Sequence, residues 1–246
     1  MAANCLELHG VDMFFGKKQV LKNINLSVPI GGIYGLLGPS GCGKTTTVKI
    51  IAGILEATAG EVKLLGKQMP SLELMAQIGY ESQSDALYSS LSGEENLEFF
   101  AALYGLAGQA AQERIKQLLA LVNLTDEKNK PVAFYSGGMK RRLSLAAALL
   151  HSPSVLILDE PTVGIDPVLR KQIWDELYAL AAQGTTVLVT THVMDEAARC
   201  HHLAMLREGR LLAVGTPLEI IEQSGAKTLE EAFLLFSSKE EAANES

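Results

Sequence analysis

At 246 residues the chain has the length of one large α/β domain and enough material to bury its core. A formal net charge of −7 argues against a general binder of nucleic acid or anionic lipid, although Lys140-Arg141-Arg142 forms a local basic cluster. The three cysteines, Cys5, Cys42 and Cys200, are odd in number and scattered, which fits a reducing compartment and neither a disulfide framework nor a zinc site.

Residues 1–15 carry Glu7 and Asp12 and lack a sustained apolar run, so no signal peptide is expected. No stretch approaches the roughly 20 apolar residues of a membrane helix. Leu6 to Phe15 and Gln19 to Val28 read as strands around the turn Gly16-Lys17-Lys18. Ile33 to Leu37, bounded by glycines, reads as a buried strand, followed by a helix from about Lys44 to Leu55. Glu61 to Leu65 and Met75 to Tyr80 are candidate strands. Ser92 to Val122 has helical spacing, with Gly105 and Gly108 separating two helices, and a further helix runs from about Gly138 to Leu150.

Val155 to Leu158 and Thr186 to Thr190 are continuous apolar or β-branched runs of the kind found in parallel strands covered on both faces. Between them Pro167 opens a helix to Ala182, at a position where its missing N–H costs nothing. Alternating strands and helices imply an α/β fold with a doubly wound parallel sheet. The expected organisation is a single domain over 1–236, with a core from 1–83 and 151–236 and an inserted α-helical subdomain at about 84–150. The strands at the N-terminus form an antiparallel β subdomain. Ser237 to Ser246 is polar and acidic and reads as a frayed tail.

Gly38-Pro39-Ser40-Gly41-Cys42-Gly43-Lys44-Thr45 matches a phosphate-binding loop in full, with Thr46 next in line. Its glycines allow consecutive backbone N–H groups to point into one cavity, and the helix from Lys44 adds its positive end. Lys44 is expected to reach the β- and γ-phosphates of ATP, and the Thr45 hydroxyl to ligate Mg²⁺. Cys42 reads as a small residue, with a redox switch as the other reading. Asp159 and Glu160 end a buried strand, the edge where open parallel sheets bind ligands. Asp159 suits a water-mediated Mg²⁺ contact and Glu160 a general base. His192 ends another parallel strand; alone it reads more readily as a surface or capping histidine, and its place on the same rim tips the balance toward the site. Three strand ends thus converge on one rim, a case for ATP hydrolysis.

With Ser136-Gly137-Gly138 opening a helix upstream of Asp159-Glu160, the chain resembles the nucleotide-binding subunits of ATP-binding cassette (ABC) transporters over essentially its whole length. The resemblance implies that Ser136, Gly137 and Gly138 contact the γ-phosphate of ATP held by an opposite subunit, again through backbone N–H groups and a helix end. It implies that Phe15, rather than Phe14, stacks on adenine. It makes Gln83 a sensor of Mg²⁺ and the lytic water, His192 the γ-phosphate switch, and Gly164-Ile165-Asp166 the loop through which subunits communicate. Tyr135 and Met139 depart from the commonest signature. Together with Thr228-Leu229-Glu230-Glu231-Ala232-Phe233-Leu234 they resemble the branch serving type-2 exporters of drugs, lantibiotics, lipids or polysaccharides.

The implied partners are integral-membrane permease subunits on separate chains and a second copy of this chain or a homologous ATPase, with no nucleic acid. Membrane contact would come only through the permease, at the cytoplasmic face of the cell membrane. An importer subunit, or a soluble clamp acting on nucleic acid or ribosomes, are the competing readings.

Overall fold

A computed structural model of the chain describes residues 4–82 and 86–244. The chain opens with a hairpin, β1 (Asn4–Phe15) and β2 (Lys18–Pro29), and passes through β3 (Gly32–Leu37) into α1 (Lys44–Ile51). It continues with β4 (Ala59–Leu64), β5 (Lys67–Gln68), the short α2 (Leu72–Met75) and β6 (Ile78–Glu81). Three helices follow: α3 (Gly93–Leu103), α4 (Gly108–Leu121) and, after a 3-10 turn at Val132–Phe134, α5 (Gly137–Leu149). Strands and helices then alternate through β7 (Val155–Asp159), α6 (Pro167–Ala182), β8 (Thr186–Thr191), α7 (Met194–Ala197) and β9 (His202–Arg207). The last elements are β10 (Arg210–Gly215), α8 (Pro217–Ser224) and α9 (Leu229–Asn244).

The strands form two sheets. The first, in order β2-β1-β4-β5, is antiparallel. The second runs β10-β9-β3-β8-β7-β6 and is parallel from β9 to β6, with β10 antiparallel at its edge. Both follow from their side-chain patterns. In β2, Ile24, Leu26 and Val28 are buried while Asn23, Asn25 and Ser27 are exposed, the alternation of a sheet with one wet face. In β7 and β8 every residue is buried, as strands covered on both sides require.

The period of two then divides the interior. Tyr34, Leu36, Ile157 and Leu188 face α1 and the antiparallel sheet, joining Val11, Leu21, Val48 and Ile51. Ile33, Leu37, Leu156, Leu158, Val187 and Val189 face the helices, joining Leu143, Ala146, Trp174 and Leu177. The fold is therefore the expected two-sided α/β sheet with an antiparallel partner sheet, and α3 to α5 fall between β6 and β7 in the chain. Ser92 and Glu95 close a reciprocal capping box at the start of α3.

Three expected boundaries shift. The first helix stops at Ile51 rather than near Leu55, because the Ile54 N–H turns back to the Lys49 carbonyl and closes the last turn. Met75 ends a helical turn rather than starting a strand: its N–H donates to the Ser71 carbonyl, and the strand begins at Ile78. The expectation of a frayed tail from Ser237 is not met, since α9 continues to Asn244. Phe233 and Phe236 pack against the core, Ser237 is buried beneath them, and Arg210 on β10 lies 3.7 Å from Glu240. The polar composition from Ser237 onward does not reveal this, because the apolar anchors Phe233 and Phe236 precede it on the same helix.

One close approach ties the helices to the sheet. A Cβ at Gly79 in β6 would lie 2.2 Å from the Ala148 carbonyl oxygen of α5 and 2.8 Å from Pro153 Cγ. Replacing Gly79 by Ala should therefore force strand and helix apart and lower stability by about 1–3 kcal/mol, the usual cost of overpacking. Urea unfolding should read this as an earlier midpoint at unchanged slope. An unchanged midpoint would contradict the packing.

Candidate functional site

β3, β8 and β7 are adjacent and parallel, with Leu37 opposite Thr191 and Asp159 opposite Thr190. All three chains therefore leave the sheet at one edge. From Leu37 the backbone passes through Gly38–Gly43 into α1, and the Gly38 N–H donates to the Thr191 carbonyl. Gly43 has φ 115°, where a side chain would be strained, and a Cβ there would sit 2.6 Å from Leu21 Cδ2. Only glycine suits that turn. No side chain caps α1 and its first turn holds no acidic residue, so its leading N–H groups and positive end face the loop.

The cleft over this loop has a volume of about 320 Å³ and is lined by Val20, Ser40, Gly41, Gly43, Lys44, Thr45, Thr46 and Glu160. Lys44 is buried and donates from Nζ to the carbonyls of Gly38 (2.8 Å) and Pro39 (3.1 Å). Cys42 points beneath the loop, its Sγ 2.7 Å from where a Gly38 Cβ would be.

Across the cleft, Asp159 is fully buried. Its Oδ1 accepts from the Thr190 hydroxyl, and its Oδ2 has no hydrogen-bond partner among the described residues. A carboxylate oxygen of this kind has the chemistry to accept from a water of a hydrated cation. Glu160 adopts φ 55°, an unusual conformation for a non-glycine residue, with its N–H donating to the carbonyl and hydroxyl of Thr190. Its Oε1 then lies 3.4 Å from Lys44 Nζ and 3.1 Å from His192 Nδ1. One carboxylate oxygen thus joins the phosphate-binding loop to both neighbouring strand ends. A carboxylate held this way can accept a proton from water, beside a cation and an imidazole that can stabilise phosphoryl oxygens.

The remaining expected residues lie around this centre. Phe15 and Phe14 are both exposed at the β1–β2 turn, so exposure does not separate them. Ser136 caps α5, its Oγ accepting from the Met139 N–H at 3.2 Å. Ser136 and Gly137 are exposed, and no described atom comes within 4 Å of a Cβ built at Gly137. Apart from the Ser136 cap, no described residue beyond the helix's own chain neighbours covers Gly137. Asp166 caps α6, its Oδ1 accepting from Val168 and Leu169, and the Gly164 carbonyl oxygen stands 3.6 Å from a Cβ built at Gly138. Neither Asp166 nor Ser136–Gly138 lines the phosphate-loop cleft. Gln83 lies outside the described residues.

Several contributors were not legible beforehand. Val20 lines the cleft, Thr190 holds both Asp159 and Glu160, and Arg141 contacts the carbonyls of both. Glu196, almost fully buried, accepts from the Thr162 hydroxyl with one oxygen and from the Thr191 hydroxyl at 2.7 Å with the other. It fastens the residues after Glu160 to the end of β8. Arg141 stands out in the sequence only as part of a basic cluster after the signature, and no motif gives any of these residues its role at the rim.

Residues 21–163 match the family model described as ABC transporter. The chain belongs to the ABC transporter ATP-binding family. It is 41% identical over 225 residues to the Nod factor export ATP-binding protein I of Burkholderia orbicola (strain AU 1054), covering 90% of this chain and 74% of that protein. A solved ATP-binding subunit of an ABC transporter superposes with a TM-score of 0.87 at 29% identity, over 95% of this chain and 99% of the other. A dimeric post-hydrolysis state of an ATP-binding cassette, bound to ADP and Pi, superposes with a TM-score of 0.80 at 26% identity, over 86% and 98% of the two chains. The chain is thus an ABC transporter ATPase subunit, and its cleft belongs to a family that binds ATP.

Burial bears on the redox reading of Cys42. It pushes the thiol above its ordinary pKa, does the same to Cys5, and takes Cys200 up to about 12. A raised pKa leaves less thiolate at any given pH, so reactivity should appear only in alkali. At pH 7 iodoacetamide should leave the native ABC ATPase unmodified while the urea-unfolded chain takes up a label on each of its three cysteines, read by intact mass. Rapid labelling of native Cys42 would contradict this.

Proposed function

We propose that the chain is one half of a two-subunit ATPase that closes around ATP and drives a separate membrane permease in the direction of export. The observation that carries this reading is the position of Glu160 Oε1 between Lys44 Nζ and His192 Nδ1 at the rim of the phosphate loop. Glu160 polarises the attacking water, and His192 orients Glu160 and follows the γ-phosphate. Lys44 exchanges the carbonyls of Gly38 and Pro39 for phosphate oxygens. The loop from Gly38 to Gly43 and the first turn of α1, with Thr45 and Thr46, cradle the phosphates. Phe15 stacks on the base beside Val20.

Asp159 through its partnerless oxygen, the Thr45 hydroxyl and Gln83 are the residues that would hold Mg²⁺. When bound, that ion neutralises developing charge on the phosphate oxygens. The exposed N-terminus of α5 supports the two-subunit reading. Ser136, Gly137 and Gly138 offer N–H groups and a helix dipole end outside this chain's own cleft, which suits a phosphate held by a partner subunit. Asp166, two residues after the Gly164 whose carbonyl stands near Gly138, would then read the state of that shared interface.

The inserted helices at about 84–150 would face the permease, and the subunit would work at the cytoplasmic face of the cell membrane. Among the described residues no helix is long and apolar enough to cross a membrane. Export is favoured by Tyr135 and Met139 in the signature and by the name of the Burkholderia relative.

Glu160→Gln should lower steady-state phosphate release by about 10²–10⁴-fold, the range a general base is worth, with affinity for a fluorescent ATP analogue retained. Near-normal turnover would sink the role of Glu160. Lys44→Ala should instead weaken binding of the same analogue in titration. Unchanged affinity would remove Lys44 from the phosphate site.

A further inference from the structure

Arg141 and Arg142 are consecutive on α5, shortly after the Ser136 cap, yet they reach in opposite directions. Arg142 stays among the helices, donating to the carbonyls of Val122 at 3.1 Å, Asn123 at 2.9 Å and Gly138 at 3.4 Å. Arg141 reaches into the end of the parallel sheet. Its Nη1 donates to the Ser82 carbonyl at 3.0 Å, and its Nη2 to the Glu160 carbonyl at 2.7 Å and to the Asp159 carbonyl. Its Nε lies 2.7 Å from Oε1 of Glu81, whose side chain is fully buried. The four acceptors come from the ends of two adjacent strands, β6 and β7.

The consequence for Glu160 is specific. At φ 55° this residue occupies a conformation that a side-chain-bearing residue leaves unless its surroundings hold it. Its N–H is held by Thr190 and its carbonyl by Arg141, so the peptide is pinned from both sides. The planar fork of a guanidinium can serve three carbonyls and a carboxylate at once, which a single ammonium cannot do in the same geometry. An arginine kept only as a structural ion pair would not need the carbonyls of both Asp159 and Glu160.

We propose that Arg141 is a positioning residue for hydrolysis. It holds Glu160 in its left-handed conformation, and it makes the placement of that carboxylate depend on the helix that begins at Ser136. The buried Glu81 carboxylate anchors the guanidinium for this task. Binding at the exposed end of α5 would then be felt at the catalytic carboxylate of the same chain, a physical link between two sites. The proposal rests on Glu160 acting as the general base.

The test uses the full chain with Arg141→Lys, which keeps the charge and loses the fork. The expected result is a kcat lower by about 10²-fold, the loss that a misplacement of about 1 Å produces, with KM, ATP-analogue affinity and urea midpoint close to those of the parent. Adding Arg141→Lys to Glu160→Gln should slow the enzyme no further, because the arginine acts only through that carboxylate. If Arg141→Lys does not fold, the pair Glu81→Gln/Arg141→Gln leaves no buried charge without its partner and should show the same loss of kcat. Parent-like kcat in a folded variant, or losses that multiply with Glu160→Gln, would overturn the positioning role. Near-normal turnover in Glu160→Gln alone would instead remove the general-base reading, and this proposal with it.

Discussion

The site depends on the register of β8 between β3 and β7. Leu37 stands opposite Thr191 and Asp159 opposite Thr190, so the phosphate loop, the acidic pair and His192 leave the sheet side by side. A slip of one residue in either ladder would turn each side chain to the other face of the sheet. Asp159 would then lose the Thr190 hydroxyl, and Glu160 its two contacts to Thr190. The register is held by the period of two in the strands: Leu156 and Leu158 belong to the helical side of the core, and Ile157 to the side of α1. Buried apolar side chains thus set the geometry of the polar ones.

The polar groups at this rim are arranged so that each has a temporary partner. Lys44 is buried against two carbonyls and one carboxylate, and Glu160 faces both Lys44 and His192. A buried ammonium without such partners would be costly. In the proposed reaction phosphate oxygens replace these same contacts. Behind it, Arg141 and Glu196 connect the rim to α5 and α7. The rim is therefore tied to the helices on the far side of the sheet and not only to its own loops.

Much of this was legible in the sequence because the relevant signals are local. The glycines from Gly38 to Gly43, the apolar run before Asp159 and the β-branched run before His192 each declare a strand, a turn and a rim position within a few residues. The cap at Ser136 and the proline at the start of α6 are equally local. What was missed depends on residues distant in sequence. Nothing near Glu81 marks it as the partner of Arg141, and nothing near Glu196 announces hydroxyls from Thr162 and Thr191. The end of α9 stays hidden for a related reason: Ser237 to Asn244 holds only charged, polar and small residues, and the burial of Ser237 and the pairing of Glu240 with Arg210 arise only once β10 and the core lie against the helix. Phe14 and Phe15 stay alike because both lie at an exposed hairpin end.

The central claim is that each working site combines the phosphate loop of one subunit with the Ser136–Gly138 helix end of another. Mixed dimers test it most directly. One chain would carry Lys44→Ala with an intact signature, and the other Gly137→Asp with an intact phosphate loop. Each alone should hydrolyse ATP poorly. In the mixed dimer one of the two sites is built from two intact halves, so combining the inactive chains should restore phosphate release. Mixtures no more active than the separate chains, with mixed dimers demonstrated by differential tags, would contradict the account.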